Sequence, residues 1–236
     1  METTGYTTLS RQQGLLREMQ MIANNVANAA TTGYRQQGII FSEYVRDTRE
    51  GSVSMSAAHV RNTSFAQGTL TRTGGQLDLA LEGDGFFMVQ TPQGERLTRA
   101  GAFALSNAGD LVTPDGFPVL DAGGAPLFVP PDASDLAIAQ DGTLSSAGRP
   151  IGQIGVVQPV NLRGLTREGG VLFAAAEGVE PVEAPKVMQG FLESSNTDPI
   201  LQISRMIEVQ RAYEMGQSFL EREDDRIRTA IKAFIR

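Results

Sequence analysis

The chain has 236 residues, enough to bury a sizeable core in one or two domains. It carries 27 acidic and 20 basic residues, and the net charge of −7 argues against a nucleic-acid binder, which usually presents a basic face. No cysteine occurs, which excludes disulfides, cysteine-bound zinc and a thiol nucleophile. No apolar run approaches the roughly 18 residues of a membrane span. The N-terminus also lacks the pattern of a cleavable secretory signal, so we expect any export to proceed without cleavage.

The N-terminal arm predicts one amphipathic helix over about residues 7–30. Its apolar side chains recur at three- and four-residue steps, which places a stripe along one helix face. The stripe comprises Leu9, Leu16, Met19, Ala23, Val26 and Ala30, with Leu15 and Ile22 beside it. Gly33 is the expected helix stop, because glycine adopts a positive φ freely.

Three asparagines, Asn24, Asn25 and Asn28, stand near the end of this helix, although asparagine is a poor helix former. Asn24 and Asn28 lie one turn apart and share a face. A buried amide needs a partner or costs about 1–3 kcal/mol, so these side chains would fix the register between adjacent helices. The alternative is that Asn28 and Thr31 simply end the helix.

The middle of the chain predicts an all-β module. Between Gly74 and Gly190 lie 19 of the 26 glycines and 10 of the 11 prolines, and turn signals separate short apolar runs. Phe86 and Phe87 are expected in the core of this module. The preceding residues, 36–73, are polar and predict an extended or β connection.

The C-terminal arm predicts a longer helix, because residues 200–236 contain one glycine and no proline. Apolar side chains recur every seven residues, which is typical of a left-handed coiled-coil seam. The repeat comprises Met206, Tyr213, Leu220, Ile227 and Phe234. We assign the complementary seam position to Ile203 and Ile231, with Gln210, Gln217 and Asp224 between them.

Sites for catalysis, metal or cofactor are not expected. His59 is the single histidine and stands in a polar segment, so no histidine- and cysteine-based metal site can be assembled. Gly83-x-Gly85 lacks the third glycine of a dinucleotide fingerprint and predicts a bulge or tight turn. A hydrolase that uses acidic residues stays open as an alternative, as does a secreted, monomeric β-rich binding module or adhesin.

Each terminal arm is an amphipathic stripe without a partner in its own segment, and an isolated helix of this length is marginal in water. Burying one large apolar side chain contributes about 1.5–3 kcal/mol, so we expect the two arms to pair. The predicted fold class is α+β, with N- and C-terminal helices paired as a coiled-coil-like layer and a central, mostly antiparallel β domain inserted between them. The expected segments are an N-terminal helical arm at 1–35, an extended or β linker region at 36–73, a central β-rich domain at 74–193 and a C-terminal helical arm at 194–236.

Four stretches resemble the signatures of one protein family. ANNVANAATTGYR (residues 23–35) resembles the N-terminal signature of bacterial flagellar axial proteins, those of the rod and hook. LESSN (192–196) and MIEVQRAYE (206–214) resemble their C-terminal signature, and GTLTRTGGQLDLALEGDGFF (68–87) resembles their middle segment. The stretches keep the family's order, so the resemblance covers nearly the whole chain. The chain departs from the usual pattern at Ala29, Ala30, Thr197 and Gly216.

The length and the run DGFPVLDAGGAPL (115–127) are most similar to proximal-rod subunits, with distal-rod subunits as the close relatives and the alternative. The resemblance implies a structural subunit that is not an enzyme and needs no cofactor. It also implies export through the flagellar type III apparatus without a cleaved signal peptide. The expected location is the basal-body rod that spans the periplasm. The expected partners are copies of the chain and other proximal and distal rod proteins, with no nucleic acid and no small-molecule substrate.

In such a rod the terminal helices line the inner layer of a helical tube that transmits torque and forms the export channel, and the β domains face outward. The resemblance therefore points to the helix stripes and the asparagines as contacts between subunits. The candidate interface residues are Leu16, Met19, Ile22, Asn24, Asn25, Val26, Asn28, Thr31, Ile203, Met206, Ile207, Gln210, Arg211, Tyr213, Leu220 and Ile227.

Overall fold

The computed structural model describes residues 2–48, 51–131, 133 and 135–234, with side chains for 7–40, 62–131, 133 and 135–233. The chain has a helix at each end and a mostly antiparallel β region between them. Its internal contacts divide it into two compact units. The helical unit comprises residues 1–29, 36–65 and 197–236, and the β unit comprises residues 30–35 and 66–196.

In the helical unit, the residues that the structure describes form two long helices and one hairpin. Helix α1 spans Glu2–Ala27 and helix α2 spans Pro199–Phe234. Strands β1 (Gln37–Thr48) and β2 (Gly51–Thr63) form an antiparallel hairpin, a pairing that the sequence did not predict for this extended or β region. Within the described residues, neither helix is long and apolar enough to cross a membrane.

The end of helix α1 and the start of helix α2 are each set by nearby side chains. Helix α1 ends at Ala27, earlier than predicted, and Asn28 Nδ2 donates to the Asn24 carbonyl over 2.9 Å. This is the helix-ending role that the sequence left open for Asn28. Helix α2 begins after Asp198, whose Oδ1 accepts from the backbone N–H of Ile200 over 2.9 Å, an N-cap next to a proline at the first helical position.

Helices α1 and α2 lie against each other and run in opposite directions. Their paired residues show the direction, because Gln12 meets Tyr213 whereas Glu18 meets Arg205. The α2 positions covered by α1 recur at four- and three-residue steps, and they are Gln202, Met206, Val209, Tyr213, Gly216 and Leu220.

One part of the predicted heptad is wrong. Met206, Tyr213 and Leu220 of the repeat are half-buried whereas Ile227 is 46% exposed, and the complementary covered position is Val209, which is 2% exposed. Ile203, which the sequence placed in the seam, is 50% exposed. Positions one residue apart are separated by about 100° around the helix. Apolar character alone therefore placed Ile203 in the seam, although it lies on the neighbouring, exposed face.

The described residues of the β unit form fifteen short strands. They are β3 (Leu70–Arg72), β4 (Leu79–Leu81), β5 (Phe86–Thr91), β6 (Gly94–Thr98), β7 (Ala104–Leu105), β8 (Leu111–Val112), β9 (Leu136–Ile138), β10 (Thr143–Ser146), β11 (Arg149–Gln153), β12 (Val156–Pro159), β13 (Leu165–Arg167), β14 (Leu172–Ala175), β15 (Val179–Pro181), β16 (Val187–Gln189) and β17 (Phe191–Glu193). A 3-10 turn, Leu162–Gly164, precedes β13.

The largest sheet of the β unit has six strands in the order β13-β14-β6-β5-β12-β15, and all their pairings are antiparallel. Strand β17 pairs with β3, and β16 pairs with β4, so the end of the β unit is bound to its beginning. Strands β9, β10 and β11 form a three-stranded sheet, and β7 pairs with β8.

The core of the β unit is apolar. Phe87 is fully buried in it and contacts Phe103 edge to face, with ring centroids 5.3 Å apart. Phe86 is 3% exposed and meets the ring of Phe173. The prediction that both phenylalanines serve this core is confirmed. Gly83 and Gly85 form a bend between β4 and β5, both with positive φ.

Candidate functional site

Three charged side chains from distant parts of the sequence meet inside the β unit. Arg35, Arg99 and Glu193 are 1%, 4% and 0% exposed. Nη1 of Arg35 lies 2.5 Å from Oε1 of Glu193, and Nη1 of Arg99 lies 3.3 Å from its Oε2. We call these residues the arginine–glutamate cluster. Because water is excluded, each charge depends on its protein partners.

Backbone carbonyls complete the surroundings of the two arginines. Nη1 of Arg35 also donates to the carbonyl of Ala66 over 2.8 Å. Nη2 of Arg99 donates to the carbonyl of Gly83 over 2.7 Å. Charge-assisted hydrogen bonds are stronger than neutral ones, so the cluster binds the loops before β3 and after β4 as well as its own segments.

Positive charge exceeds negative charge in the cluster, since two guanidiniums share one carboxylate. Burial lowers the pKa of Arg99, and the neighbouring Glu193 carboxylate opposes that shift. Nε and Nη2 of Arg35 and Nε of Arg99 are buried without a hydrogen-bond partner among the described residues. Burying the cluster therefore costs free energy, and that cost is recovered only when all three side chains reach this one arrangement.

A third arginine extends this region. The Arg167 guanidinium lies 4.5 Å from the ring centroid of Tyr34 and 4.8 Å from that of Phe173, in cation–π geometry. It also donates to the backbone carbonyl of Arg35. Burial lowers the pKa of Arg167 and raises the pKa of Tyr34, while the Arg167 charge opposes the shift of Tyr34.

Two glycines allow the backbones around the cluster to approach closely. Gly33 has φ +68° and donates its N–H to the Glu193 carbonyl over 2.7 Å. A Cβ there would lie 2.3 Å from the Ala100 nitrogen. Gly68 donates its N–H to Oε1 of Glu193 over 2.8 Å, and a Cβ at that position would lie 1.9 Å from the Ser194 carbonyl oxygen. Only glycine fits at these contacts.

The cluster is suited to fastening chain segments and not to chemistry on a substrate, because its charges are sealed from solvent. Within the described part of the chain, no group of three or more His, Cys, Asp or Glu side chains is placed to hold a metal ion. The side chain of His59 lies outside the described residues.

Most of the candidate interface residues lie on the surface of the helical unit, in three degrees of exposure. Exposed are Leu16, Asn24, Ile203, Ile207, Gln210, Arg211 and Ile227. Half-buried are Met19, Val26, Asn28, Met206, Tyr213 and Leu220, together with Thr31 of the β unit. Fully buried within the chain are Ile22 and Asn25.

Asn25 makes its contacts inside its own chain. Its Nδ2 donates to the Gln37 carbonyl over 2.8 Å and to Gln202 Oε1 over 3.2 Å, and its Oδ1 accepts from the Gln37 N–H. The amide thus connects α1, β1 and α2, which is a register role of the kind expected for the asparagines but within one molecule.

A groove of about 380 Å³ lies on the surface of the helix pair. We call it the helix-pair groove, and it is lined by Thr8, Arg11, Gln12, Leu15, Ala212, Met215, Gly216 and Phe219. Gln12 is 9% exposed and donates to the Tyr213 carbonyl, while its buried Oε1 has no partner among the described residues. Gly216, a departure from the family pattern, makes room for Gln12, since a Cβ there would lie 2.5 Å from its Nε2.

Sequence reasoning did not single out the arginine–glutamate cluster, although Arg35 and Glu193 stand inside the quoted signatures and only Arg99 lies outside them. The detectable signal was Glu193, a carboxylate that directly follows the apolar residues Phe191 and Leu192. A charged side chain that does not reach solvent needs a buried partner. Which residue serves as that partner depends on the fold.

Three family profiles match the chain, in order along it. They are described as Flagella basal body rod protein (residues 4–35), Flagellar hook protein FlgE/F/G D1 domain (80–146) and Flagellar basal body rod FlgEFG protein C-terminal (188–233). Together with the terminal helices and the β unit between them, these matches define an axial structural protein of the bacterial flagellum.

Individual similar proteins identify the family within this class of flagellar axial proteins. The chain is 36% identical to flagellar basal-body rod protein FlgF of Caulobacter vibrioides and 36% identical to FlgF of Mesorhizobium japonicum, in each case over 98% of both chains. It is 32% identical to FlgG of Bacillus subtilis over 93% of this chain and 94% of that protein. The chain belongs to the flagellar basal-body rod protein family, whose members are structural proteins and not enzymes.

The cluster and the profiles coincide in one respect. Arg35, Arg99 and Glu193 each fall in a different matched segment. The three segments that carry the family resemblance are thus connected through one buried carboxylate in the β unit.

Proposed function

We propose that the chain is a subunit of the proximal rod, and that it assembles through its terminal helices into a tube that transmits torque and encloses the export channel. One observation carries the proposal: most exposed large apolar side chains among the described residues lie on the two helices. They are Leu9 and Leu16 on α1 and Ile200, Leu201, Ile203, Ile207, Met215, Phe219, Ile227 and Ile231 on α2.

These side chains need a cover that the helical unit does not supply. Burying each of them contributes about 1.5–3 kcal/mol, and they are spread along both helices instead of forming one small patch. Helices packed side by side, as in a coiled-coil-like layer, are the arrangement that covers such stripes. Of the candidate interface residues, the exposed members therefore make the contacts between subunits.

Full-length similarity supports the proximal rod over the distal rod. The FlgF relatives, which are of the proximal-rod type, match over 98% of both chains, whereas FlgG of Bacillus subtilis, of the distal-rod type, matches over slightly less of each chain and at lower identity. The partners are then copies of this chain and the rod subunits before and after it. Export proceeds through the flagellar type III apparatus without removal of a signal peptide.

Immunogold labelling of isolated basal bodies tests this proposal, with a tag inserted at the exposed turn after Gly148 in the β unit. Label on the half of the rod nearest the cell body is the expected result, with peptides from the intact N-terminus found by mass spectrometry. Label confined to the outer half would favour the distal-rod alternative. A soluble monomer absent from basal bodies would favour the binding-module alternative.

A further inference from the structure

The chain passes between the helical unit and the β unit at four crossings, which lie at 29–30, 35–36, 65–66 and 196–197. At three of these crossings the β unit begins or ends with Arg35, Ala66 or Asn196. Arg35 and Asn196 are also the last residues of two of the stretches that resemble the family signatures. Because the three residues are far apart in the sequence, any bond between them joins separate crossings.

Hydrogen bonds join these three crossings at one carbonyl group. Nη1 of Arg35 and Nδ2 of Asn196 each donate to the Ala66 carbonyl oxygen over 2.8 Å. A carbonyl oxygen has two lone pairs, so donors from the other two crossings use its full capacity. The backbone N–H of Asn196 also donates to the Tyr34 carbonyl over 3.3 Å. We call Arg35, Ala66 and Asn196 the junction clasp.

The junction clasp is connected to the buried arginine–glutamate cluster through Arg35. The same Nη1 that donates to the Ala66 carbonyl lies 2.5 Å from Oε1 of Glu193. That carboxylate oxygen also accepts from the Gly68 N–H, and strand β17, which Glu193 ends, pairs with β3. Displacement of any one of the three segments is therefore opposed by bonds to the other two and by the buried ion pairs.

We propose that the junction clasp carries mechanical load between the two units of the subunit, with Asn196 as the positioning residue that makes the three crossings act together. This proposal rests on the proposed function, since a rod subunit that transmits torque passes force between its units through the crossings. A segment that is held by few buried contacts opens locally and first. Bonds between the crossings oppose such opening, because the segments must then separate from the β unit together.

The exposure of the clasp separates this role from a contribution to overall stability. Asn196 is half-buried and Ala66 is exposed. The bond between them competes with water, so it contributes little to the free energy of unfolding. Its effect is therefore expected when the crossings are pulled and not when the whole chain unfolds in denaturant.

Constant-force optical tweezers on the purified full-length chain test the proposal, and handles can be attached at single engineered cysteines because the chain has none of its own. In the first geometry the handles are at Ile203→Cys on α2 and Arg149→Cys on β11, so force crosses the junction. In the second geometry both handles lie in the β unit, at Asp115→Cys and Arg149→Cys. Each geometry is measured without further change, with Asn196→Ala and with the control Asn161→Ala.

Asn161 is a matched control because its Nδ2 also makes an exposed hydrogen bond inside the β unit, to Oε1 of Glu177 over 3.0 Å, and it does not stand at a crossing. Across the junction we expect Asn196→Ala to shorten the lifetime of the folded β unit about fivefold, the factor that one ordinary hydrogen bond contributes. In the second geometry its lifetime should stay within about twofold of the parent chain, as should that of Asn161→Ala in both. Each released residue adds about 3.5 Å of length, which identifies the segment that opens.

Unchanged lifetimes of Asn196→Ala across the junction would overturn the proposal. Shortening by the same factor in both geometries would also overturn it, because Asn196 would then act only through overall stability. If Asn196→Ala does not fold, Asn196→Asp gives the same comparison, since it keeps the shape and the backbone N–H but places an oxygen against the Ala66 carbonyl. These outcomes concern the purified chain, so they are distinct from absence of label in the rod, which would overturn the proposed function and with it the source of the load.

Discussion

Glu193 carries an unusual share of the β unit's organisation, because its single carboxylate faces both Arg35 and Arg99 in a region closed to water. Removing one member of a buried ion pair leaves the other charge uncompensated, which costs far more than the pair contributes when intact. Here the loss of one carboxylate would strand two guanidiniums. The dependence on Glu193 is therefore larger than that on either arginine.

We expect Glu193→Gln to lower the free energy of unfolding by about 3–5 kcal/mol, since the amide keeps the shape but removes the charge. Urea denaturation followed by circular dichroism measures the change. The control is Glu82→Gln, because Glu82 is 56% exposed and its Lys186 partner is 3.9 Å away. The control should change stability by less than about 1 kcal/mol. Equal effects of the two substitutions would contradict the role assigned to the cluster.

At this scale the sequence predicted residue classes better than residue partners. Phe86 and Phe87 were assignable to the core because they follow an alternating apolar run. The bonds of Asn25 to Gln37 and Gln202 were not, since they join three elements that are up to 177 residues apart. Long-range polar contacts depend on how the chain returns to itself, which periodicity does not encode.

At the scale of elements, the sequence predicted the seven-residue period of the α2 seam correctly. It placed the second apolar position of that seam one residue away from the position that is buried. The sequence shows a seven-residue repeat, but Ile203 and Val209 are equally apolar, and only packing against α1 distinguishes them. Polar Gln202 occupies a covered position because Asn25 binds it. Gly216 occupies another because Gln12 fills the space beside it.

Gly216 and Gln12 should therefore show coupled effects on stability. Alanine is favoured over glycine by about 1 kcal/mol inside a helix, but in the wild type a methyl group at Gly216 displaces the Gln12 amide. We expect Gly216→Ala to change the free energy of unfolding little in the wild type. In a chain that already carries Gln12→Ala, the same substitution should raise the free energy of unfolding by about 1 kcal/mol. A double-mutant cycle from thermal unfolding measures the coupling. Additive effects would show that the two residues do not share this space.

At the scale of the whole molecule, the sequence predicted the α+β class and the order of helix, β region and helix. The boundaries were harder to predict, because residues 30–35 belong by their contacts to the β unit, and residues 36–65 belong to the helical unit. A chain that alternates between two units has few local signals at its crossings. Turn residues mark where the backbone bends and not which unit it joins.

The β unit is complete only when the segment after Gly190 arrives, since that segment supplies β17 and Glu193. We expect a chain that ends at residue 196 to keep amide protection in β4, β5 and β6. A chain that ends at residue 190 should lose that protection, because Arg35 and Arg99 then lack their carboxylate. Hydrogen exchange with mass spectrometry measures both truncations. Equal protection in the two would contradict this dependence.

The arginine–glutamate cluster also affects how easily the fold can be undone. In an extended chain all three ions regain their hydration, which returns much of what their burial cost. A β unit that is held together by buried charges can thus favour one folded arrangement without a large increase in its free energy of unfolding. A polypeptide that must be threaded through a narrow conduit and recover one shape at the far end benefits from both properties.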